Sequence, residues 1–340
     1  MTTNSKSPQQ LIRPEIRALS AYHVPDPGEC IKLDAMENPY HWPEALKQEW
    51  LESIRDVEIN RYPDPSAAAL TKSLRTVMQV PDQMQLLLGN GSDELIQMLA
   101  LAVVQPGRVV LAPEPTFVMY RMITEVTGMR FAGVPLRDDF SVDMPAMQMA
   151  IETHQPALVF LAYPNNPTGN LFDEKAVVEI IEKTSGLVIV DEAYAPFTDA
   201  SFMQRLGEYD NLLVLRTVSK MGLAGLRLGL LAGPAQWLNE IDKTRLPYNI
   251  NVLTQASARF ALQHVDVLLK QAQQIRTDRT WLLDRLATFD VLSVYPSEAN
   301  FILFRTPEGQ ATDLFKRLRK QGVLIKNLSP AGGQLADCLR

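Results

Sequence analysis

The stretch Arg216-Thr217-Val218-Ser219-Lys220-Met221-Gly222-Leu223-Ala224-Gly225-Leu226-Arg227-Leu228-Gly229 sets one lysine among small residues. Hydroxyls precede it and an arginine follows seven positions later. An apolar run at 212–215 leads in, and a second at 228–232 leads out. Short apolar runs bounded by turn residues predict buried strands, so Lys220 occupies a tight connection between two of them. A lone lysine in a turn is ordinarily a surface residue. Burying it is costly unless its pKa shifts or its amine is covalently occupied.

Upstream, the same texture repeats. Strands are predicted at 86–88, 109–111, 129–134, 157–162 and 187–190, with helices at 95–104, 116–127, 144–154 and 173–184. Apolar strands that alternate with helices imply an α/β fold, with a mainly parallel sheet covered on both faces. Including the two runs around Lys220, that sheet has seven strands. Earlier still, prolines at 14, 25 and 27 prevent one long helix, and residues 31–40 predict a short strand ending in a turn. A helix is expected at 43–54 and another at 66–77, the second capped by Ser66. Beyond Pro234 come a helix at 236–245, a long amphipathic helix at 251–288, strands at 291–295, 301–304 and 323–325, and a helix at 311–320. The resulting division is an N-terminal arm (1–42) that joins the smaller domain or another subunit, a large domain (43–250) and a smaller α+β domain (251–340).

The bulk composition restricts the function classes. The chain has 340 residues, 46% hydrophobic and 21% charged, as in an ordinary soluble globular protein. No apolar run reaches the ~18 residues of a membrane span, and the polar residues 1–10 lack a secretory core. Cys30 and Cys338 are the only cysteines and lie far apart, which favours a reducing, cytoplasmic setting. A net charge of −6 disfavours non-specific nucleic-acid binding. His23, His41, His154 and His264 show no metal-ligand spacing, so no metal is expected.

Three further motifs follow predicted strands. Gly89-Asn90-Gly91-Ser92-Asp93 opens a helix, where free N–H groups can cradle a phosphate. A plain strand-to-helix turn would use the same residues. The third glycine of a dinucleotide fingerprint and the lysine of a Walker loop are both missing, which counts against a nucleotide-binding α/β protein. Tyr163-Pro164-Asn165-Asn166-Pro167-Thr168-Gly169 holds Asn166 at the carboxyl edge of the sheet, where α/β folds bind ligands; an ordinary Asn-Pro turn is the alternative. Asp191-Glu192-Ala193-Tyr194 ends a purely apolar strand. Asp191 suits a pyridinium N–H and Tyr194 a phenolate oxygen on the same ring, whereas a helix-capping aspartate would leave Tyr194 without a role. A lysine, an acid and a phosphate cradle at strand ends of one sheet are the parts that pyridoxal phosphate needs.

Together, Gly-Asn-Gly-Ser-Asp, Pro-Asn-Asn-Pro-Thr-Gly, Val-Asp-Glu-Ala-Tyr and Ser-Lys…Gly-Leu-Arg-Leu-Gly resemble the fold-type I pyridoxal-phosphate aminotransferases. The chain is most similar to the histidinol-phosphate aminotransferases. That narrower resemblance rests on Arg13-Pro14-Glu15-Ile16-Arg17, Asn38-Pro39-Tyr40, Asn60-Arg61-Tyr62-Pro63, Pro115-Thr116-Phe117, Ala299-Asn300-Phe301 and Cys338-Leu339-Arg340, and runs from about Ile12 to Arg340.

The resemblance implies a role for each matching residue. Lys220 forms the Schiff base with pyridoxal 5'-phosphate and then moves the proton. Asp191 pairs with the pyridine nitrogen, and Tyr194 and Asn166 hold the phenolic oxygen. Phe117 stacks on the ring, at a position where tyrosine is commoner in the family. Gly91, Ser92, Asp93, Thr217, Ser219 and Arg227 take the phosphate, and Tyr62 reaches it from the partner of a homodimer. The Lys220 to Arg227 spacing is one residue shorter than in some members. At the substrate end, Arg340 matches an arginine that binds the acidic group, and Lys326 stands where a second arginine is common. Tyr22, Asn38 and Tyr40 match residues around the mouth; packing of the arm is the alternative for the two tyrosines. The family continues past the equivalent of Arg340 with the rest of a strand and a terminal helix.

The implied reaction is ping-pong transfer of an amino group from L-histidinol phosphate to 2-oxoglutarate, giving imidazole-acetol phosphate and L-glutamate, in histidine biosynthesis. Aromatic amino-acid aminotransferases and phosphothreonine decarboxylases share the cofactor residues and are the near alternatives. A non-catalytic pyridoxal-phosphate or ligand-binding protein is the alternative from another class.

Overall fold

The computed structural model describes residues 6–21 and 24–340. Two short helices, α1 (Pro8–Leu11) and α2 (Pro14–Ala18), and the strand β1 (Ile31–Lys32) form the N-terminal segment. Then follow α3 (Glu44–Ile54), α4 (Ala68–Val77), β2 (Gln85–Gly89), α5 (Ser92–Val103), β3 (Val109–Glu114), α6 (Val118–Thr127) and β4 (Arg130–Pro135). The alternation continues through α7 (Met144–His154), β5 (Leu158–Ala162), α8 (Glu174–Lys183), β6 (Leu187–Asp191), β7 (Leu212–Thr217), β8 (Gly229–Gly233) and α9 (Ala235–Asp242). The remainder is α10 (Val252–Gln263), α11 (Val265–Ala287), β9 (Ser293–Val294), β10 (Phe304–Arg305), α12 (Ala311–Lys320), β11 (Val323–Leu324) and β12 (Cys338–Leu339).

Seven strands form one sheet in the order β2-β8-β7-β6-β5-β3-β4. Only β8 runs against its neighbours, pairing antiparallel with both β2 and β7. The carboxyl ends of the other six therefore share one edge, and the amino end of β8 joins them there. Register aligns Gly89 with Gly229, Thr217 with Gly229, and Ala162 with Asp191.

Period-two alternation explains why these strands read as uninterrupted apolar runs. Leu158, Phe160 and Ala162 enter the core on one face, and Val159 and Leu161 enter the core on the other. Ile189, Leu213, Leu215 and Leu231 join the first set; Val188, Val190, Val214 and Leu230 join the second. Each such side chain contributes roughly 1.5–3 kcal/mol when fully buried. Helices cover both faces, as expected for a parallel sheet.

Local details depart from the sequence reading. Ser66 does not cap α4. The N-cap position falls to Ala67, which turns left-handed (φ 45°), and Asp64, outside the helix, accepts the Ala68 N–H at 2.8 Å through Oδ2 and the Ser66 N–H at 3.0 Å through Oδ1. The helix expected at 251–288 is two helices, because the backbone leaves helical geometry at His264 (φ −111°, ψ 31°). Asn251 caps the first of them through the Thr254 N–H at 2.8 Å. That helix, α10, packs with α3 and α4, and Trp50 Nε1 donates to Ser257 Oγ at 2.9 Å. Residues 301–303 are not strand; only Phe304 and Arg305 pair, antiparallel, between β9 and β12. The arm joins this C-terminal part through parallel pairing of β1 with β11.

One buried ion pair ties β6 to β7 beyond their backbone ladder. The Glu192 side chain is fully buried, and Arg216 donates to its Oε2 at 2.8 Å through Nε and lies 2.7 Å away through Nη2. Arg216 Nη1 also donates to Met78 O at 3.1 Å. Removing one partner of a buried pair strands the other charge. Arg216→Ala is expected to destabilise the fold by roughly 3–5 kcal/mol in denaturant unfolding; a loss below about 1 kcal/mol, the range of an exposed pair, would contradict this role.

Candidate active site

The shared strand edge builds a cleft of about 630 Å³, open to solvent. Its first wall is the connection from β2 to α5. Gly91 has φ +82°, and a Cβ there would lie 2.8 Å from Arg227 Nη2. A Cβ on Gly229 would lie 2.6 Å from the Gly91 carbonyl carbon and 2.8 Å from the Ser92 nitrogen. Only glycine permits this approach of two backbones and the Arg227 side chain. No side chain caps α5, so its first-turn N–H groups are left for an anion. Glu94 locks the connection from behind, accepting from the Asn90 N–H at 2.6 Å and from Asn249 Nδ2 at 2.9 Å.

The second wall is the connection from β7 to β8. Thr217 Oγ1 donates to Leu228 O at 3.0 Å, accepts the Ser219 N–H at 3.1 Å and lies 2.9 Å from Ser219 Oγ. These bonds fold the loop back so that Ser219 and Arg227 face Ser92 and Asp93 across the cleft rim. Arg227 Nη2 lies 3.5 Å from Asp93 Oδ2. Burial pushes the Asp93 carboxyl up, with Arg227 and then Lys220 opposing.

Lys220 projects from this loop into the cleft. Its Nζ donates to Ala35 O at 3.0 Å and lies 5.7 Å from the centre of the Tyr194 ring. Burial, then the Arg340 charge, lowers its pKa to about 8. Asp191, at the end of β6, is 4% exposed. It accepts from Tyr120 Oη at 2.7 Å and from the Ala193 N–H at 3.0 Å. Burial raises its pKa to about 6 against those two bonds. Both donors are neutral, so the carboxylate suits a cationic N–H.

Tyr194 and Asn166 close the floor. Asn166 Nδ2 donates to Tyr194 Oη at 3.1 Å, and burial pushes the phenol's pKa up. Arg340 Nη1 donates to Asn166 Oδ1 at 2.5 Å and Nη2 to Asp34 O at 3.0 Å. The Arg340 guanidinium also lies 5.0 Å over the Phe301 ring. Phe117 lines the opposite side, ahead of α6. Buried Asn165 joins the two loops, donating to Pro115 O at 2.9 Å and accepting from Thr116 Oγ1 at 2.9 Å.

Ser92, Asp93, Phe117, Asn166, Asp191, Tyr194, Thr217, Ser219, Lys220 and Arg227 all line this one cleft, and Gly91 shapes its rim. The other residues marked in the sequence lie elsewhere. Tyr62 is 81% exposed and stacks on Tyr248, with ring centres 4.5 Å apart. Asn38 does not line the cleft: its Nδ2 donates to Gln271 Oε1 at 3.0 Å and reaches Met221 O at 3.4 Å. Tyr40 is turned to α11, donating to Asp278 Oδ2 at 2.9 Å. Lys326 adjoins Arg340 through two backbone bonds of 3.0 Å. Tyr22 lies outside the described residues. Tyr120 and Met36 line the cleft and escaped the sequence reading. For Tyr120 a signal existed, since it follows Phe117 by three positions at the start of a helix and so shares its face.

The arrangement offers an anion seat at one end, a buried carboxylate, a pair of neutral donors and an amine that loses its proton near neutral pH. Gly91→Ala is expected to displace Arg227 and abolish the anion seat. Inorganic phosphate should then raise the melting temperature of the wild type and leave that of the variant unchanged; equal protection would contradict the cradle.

The family model for aminotransferase class I and II matches residues 28–340. A histidinol-phosphate aminotransferase 2 of Nitrosococcus oceani is 57% identical over 331 residues, covering 97% of this chain and 92% of that protein. A histidinol-phosphate aminotransferase of Chromobacterium violaceum is 49% identical, over 98% of this chain and 93% of that one. Among solved structures, the histidinol-phosphate aminotransferase of Sinorhizobium meliloti in complex with pyridoxal-5'-phosphate has the same fold, with a TM-score of 0.85 at 24% identity over 97% of this chain and 92% of that one. The sheet order, the cleft at its carboxyl edge and these likenesses lead to one conclusion: the chain belongs to the class I and II aminotransferases, within the histidinol-phosphate aminotransferases, and is a pyridoxal-phosphate-dependent transaminase.

Proposed function

We propose that the protein transfers the amino group of L-histidinol phosphate to 2-oxoglutarate, giving imidazole-acetol phosphate and L-glutamate, a step of histidine biosynthesis. The observation that carries this reading is the convergence of Lys220, Asp191, Tyr194, Asn166 and the Gly91–Arg227 cradle on one cleft, with Arg340 at its edge. Relatives at 48–57% identity over nearly the whole chain carry the same activity in their names.

The residues fit pyridoxal phosphate by their donor chemistry. The cradle is closed to any Cβ and open to an anion. Ser92, Ser219, Thr217 and Arg227 would hold the phosphate, Asp191 the ring nitrogen, and Asn166 with Tyr194 the phenolic oxygen. When bound, the cofactor supplies an electrophilic carbonyl and a ring that withdraws the electron pair left at substrate Cα. Lys220 provides the amine. At a pKa of about 8, roughly a tenth of it is unprotonated at pH 7, against well under a thousandth for an ordinary lysine. Its unprotonated Nζ would serve as the base for the substrate Cα proton. Asp191 keeps the ring nitrogen protonated through charge-assisted hydrogen bonding.

At the substrate end, Arg340 and Lys326 are backbone partners in an antiparallel bridge, so their side chains leave the same face. Two neighbouring cations suit a dianionic phosphate in one half-reaction and a carboxylate in the other. Arg340 offers a fork, and Lys326 a point charge. Tyr62, with Ile59 at 76% and Leu246 at 72% exposure, gives an apolar surface that supports a homodimer in which Tyr62 serves the partner's site. The division into arm, large and small domains belongs to the same proposal. Among the described residues no helix is long and apolar enough to cross a membrane, and two free cysteines support a reducing, cytoplasmic setting.

The test is a single half-reaction. Mixed with histidinol phosphate and no keto acid, the holoenzyme should convert to its amine form spectrally, and subsequent addition of 2-oxoglutarate should restore the original spectrum with release of one equivalent of glutamate. Conversion by an aromatic amino acid, or CO2 release from phosphothreonine without conversion, with neither conversion nor turnover of histidinol phosphate, would favour the neighbouring activities. Arg340→Ala is expected to lower kcat/KM for both substrates by about 10- to 100-fold, the range for a lost charge-assisted contact; an unchanged value for both would remove Arg340 from substrate binding. Because the Lys220 pKa is lowered, its nucleophilic form accumulates as pH rises through about 8. Reconstitution of cofactor-free enzyme should therefore speed up toward pH 8 and level off above it, and a midpoint near that of a free lysine would contradict the desolvated amine.

A further inference from the structure

Tyr120 lies beneath the cleft with no solvent exposure. Packing holds its ring, which stacks on Phe160 at 4.6 Å and 11° and meets the edge of Phe117 at 5.5 Å and 86°. It comes from α6, whereas Asp191 ends β6, so the contact between them spans two elements. The Tyr120 hydroxyl donates to Asp191 Oδ2 at 2.7 Å, and the Ala193 N–H donates to Oδ1 at 3.0 Å. One bond to each oxygen fixes the plane of the carboxylate.

We propose that Tyr120 is a positioning residue, which orients Asp191 and holds it ionised toward the ring nitrogen of the bound cofactor. This rests on the assignment of the cleft to pyridoxal phosphate. The groups that face Asp191 define its problem. Asp93 from α5 and Glu192 beside it in the chain both favour its protonation, as burial does. Tyr194 follows it in the next turn, and Lys220 lines the same cleft from the β7–β8 connection. Against burial, the Tyr120 hydroxyl is the foremost group favouring the ionised form, ahead of the Ala193 N–H. Burial and the Asp191 charge push the phenol's own pKa far up, so Tyr120 stays a donor at every pH the enzyme meets. An unanchored carboxylate could turn from the ring or take a proton, and either change removes its pull on the ring N–H.

Tyr120→Phe keeps the stacked ring and deletes only the donor. The experiment measures retention of pyridoxal phosphate by the full-length holoenzyme on dialysis between pH 5 and 8, for the wild type, Tyr120→Phe, Asp191→Asn and the double variant. Protection by inorganic phosphate against heating is measured alongside. In Tyr120→Phe the cofactor Kd at pH 7 is expected to rise about ten- to a hundredfold, as for one lost hydrogen bond to a charged group. The acid limb of retention should move to higher pH, because Asp191 then takes its proton more readily, while phosphate protection stays at the wild-type level. In the Asp191→Asn background the second substitution should change nothing. An unmoved acid limb and Kd, an equal loss in the Asp191→Asn background, or lost phosphate protection would each overturn the role. A wild type that retains no cofactor at this site would overturn the assignment of the cleft as well.

Discussion

Two ionisable groups are taken out of water at the ends of adjacent strands, and the site depends on that. Lys220 follows β7 and Asp191 closes β6, in a sheet whose register aligns Asp191 with Leu215. Burial moves each toward its neutral form, the amine to about 8 and the carboxyl to about 6. Among the described residues neither meets an ion-pair partner: the amine donates to a backbone carbonyl, and the carboxylate accepts from a phenol and an amide N–H. A ligand with an electrophilic carbon and a cationic ring N–H relieves both at once. The cost of desolvation is what makes the site reactive.

The sheet makes this arrangement possible through the single reversed strand. Because β8 runs backwards, its first residue, Gly229, lies level with Gly89 and Thr217. The connection that carries Lys220 is thereby short enough to fold over the carboxyl edge and deliver Arg227 to the start of α5. The arm closes the other side. Three successive carbonyls, of Asp34, Ala35 and Met36, receive Arg340, Lys220 and Asn300. The N-terminal segment, the amine and the C-terminal arginine are thus held in one hydrogen-bonded set, and the Asn166 amide links that set to Tyr194.

Most of the fold was legible because it is written in local pattern. Apolar runs with interposed helices predict the parallel sheet, the motifs at strand ends hold nine of the candidate residues that line the cleft, and the family resemblance adds Phe117. What escaped depends on contacts between distant segments. Tyr120 reads as a helical core tyrosine until the sheet brings Asp191 to its hydroxyl. Asn38 reaches the Met221 carbonyl next to Lys220, yet the side chains of Asn38 and Tyr40 find partners on α11, which no spacing in the sequence reveals. The break at His264 is not marked by a proline or glycine, so the amphipathic pattern runs on through it. Ser66 stands one residue before the N-cap position, which the left-handed Ala67 takes.

The central claim is that Lys220 is the amine that carries the cofactor. Borohydride reduction of the holoenzyme, followed by peptide mapping by mass spectrometry, tests it most directly. The account predicts a single pyridoxyl-phosphate label, on Lys220, and its loss in Lys220→Ala. A label on another lysine, or none on a protein that retains the cofactor, would contradict it.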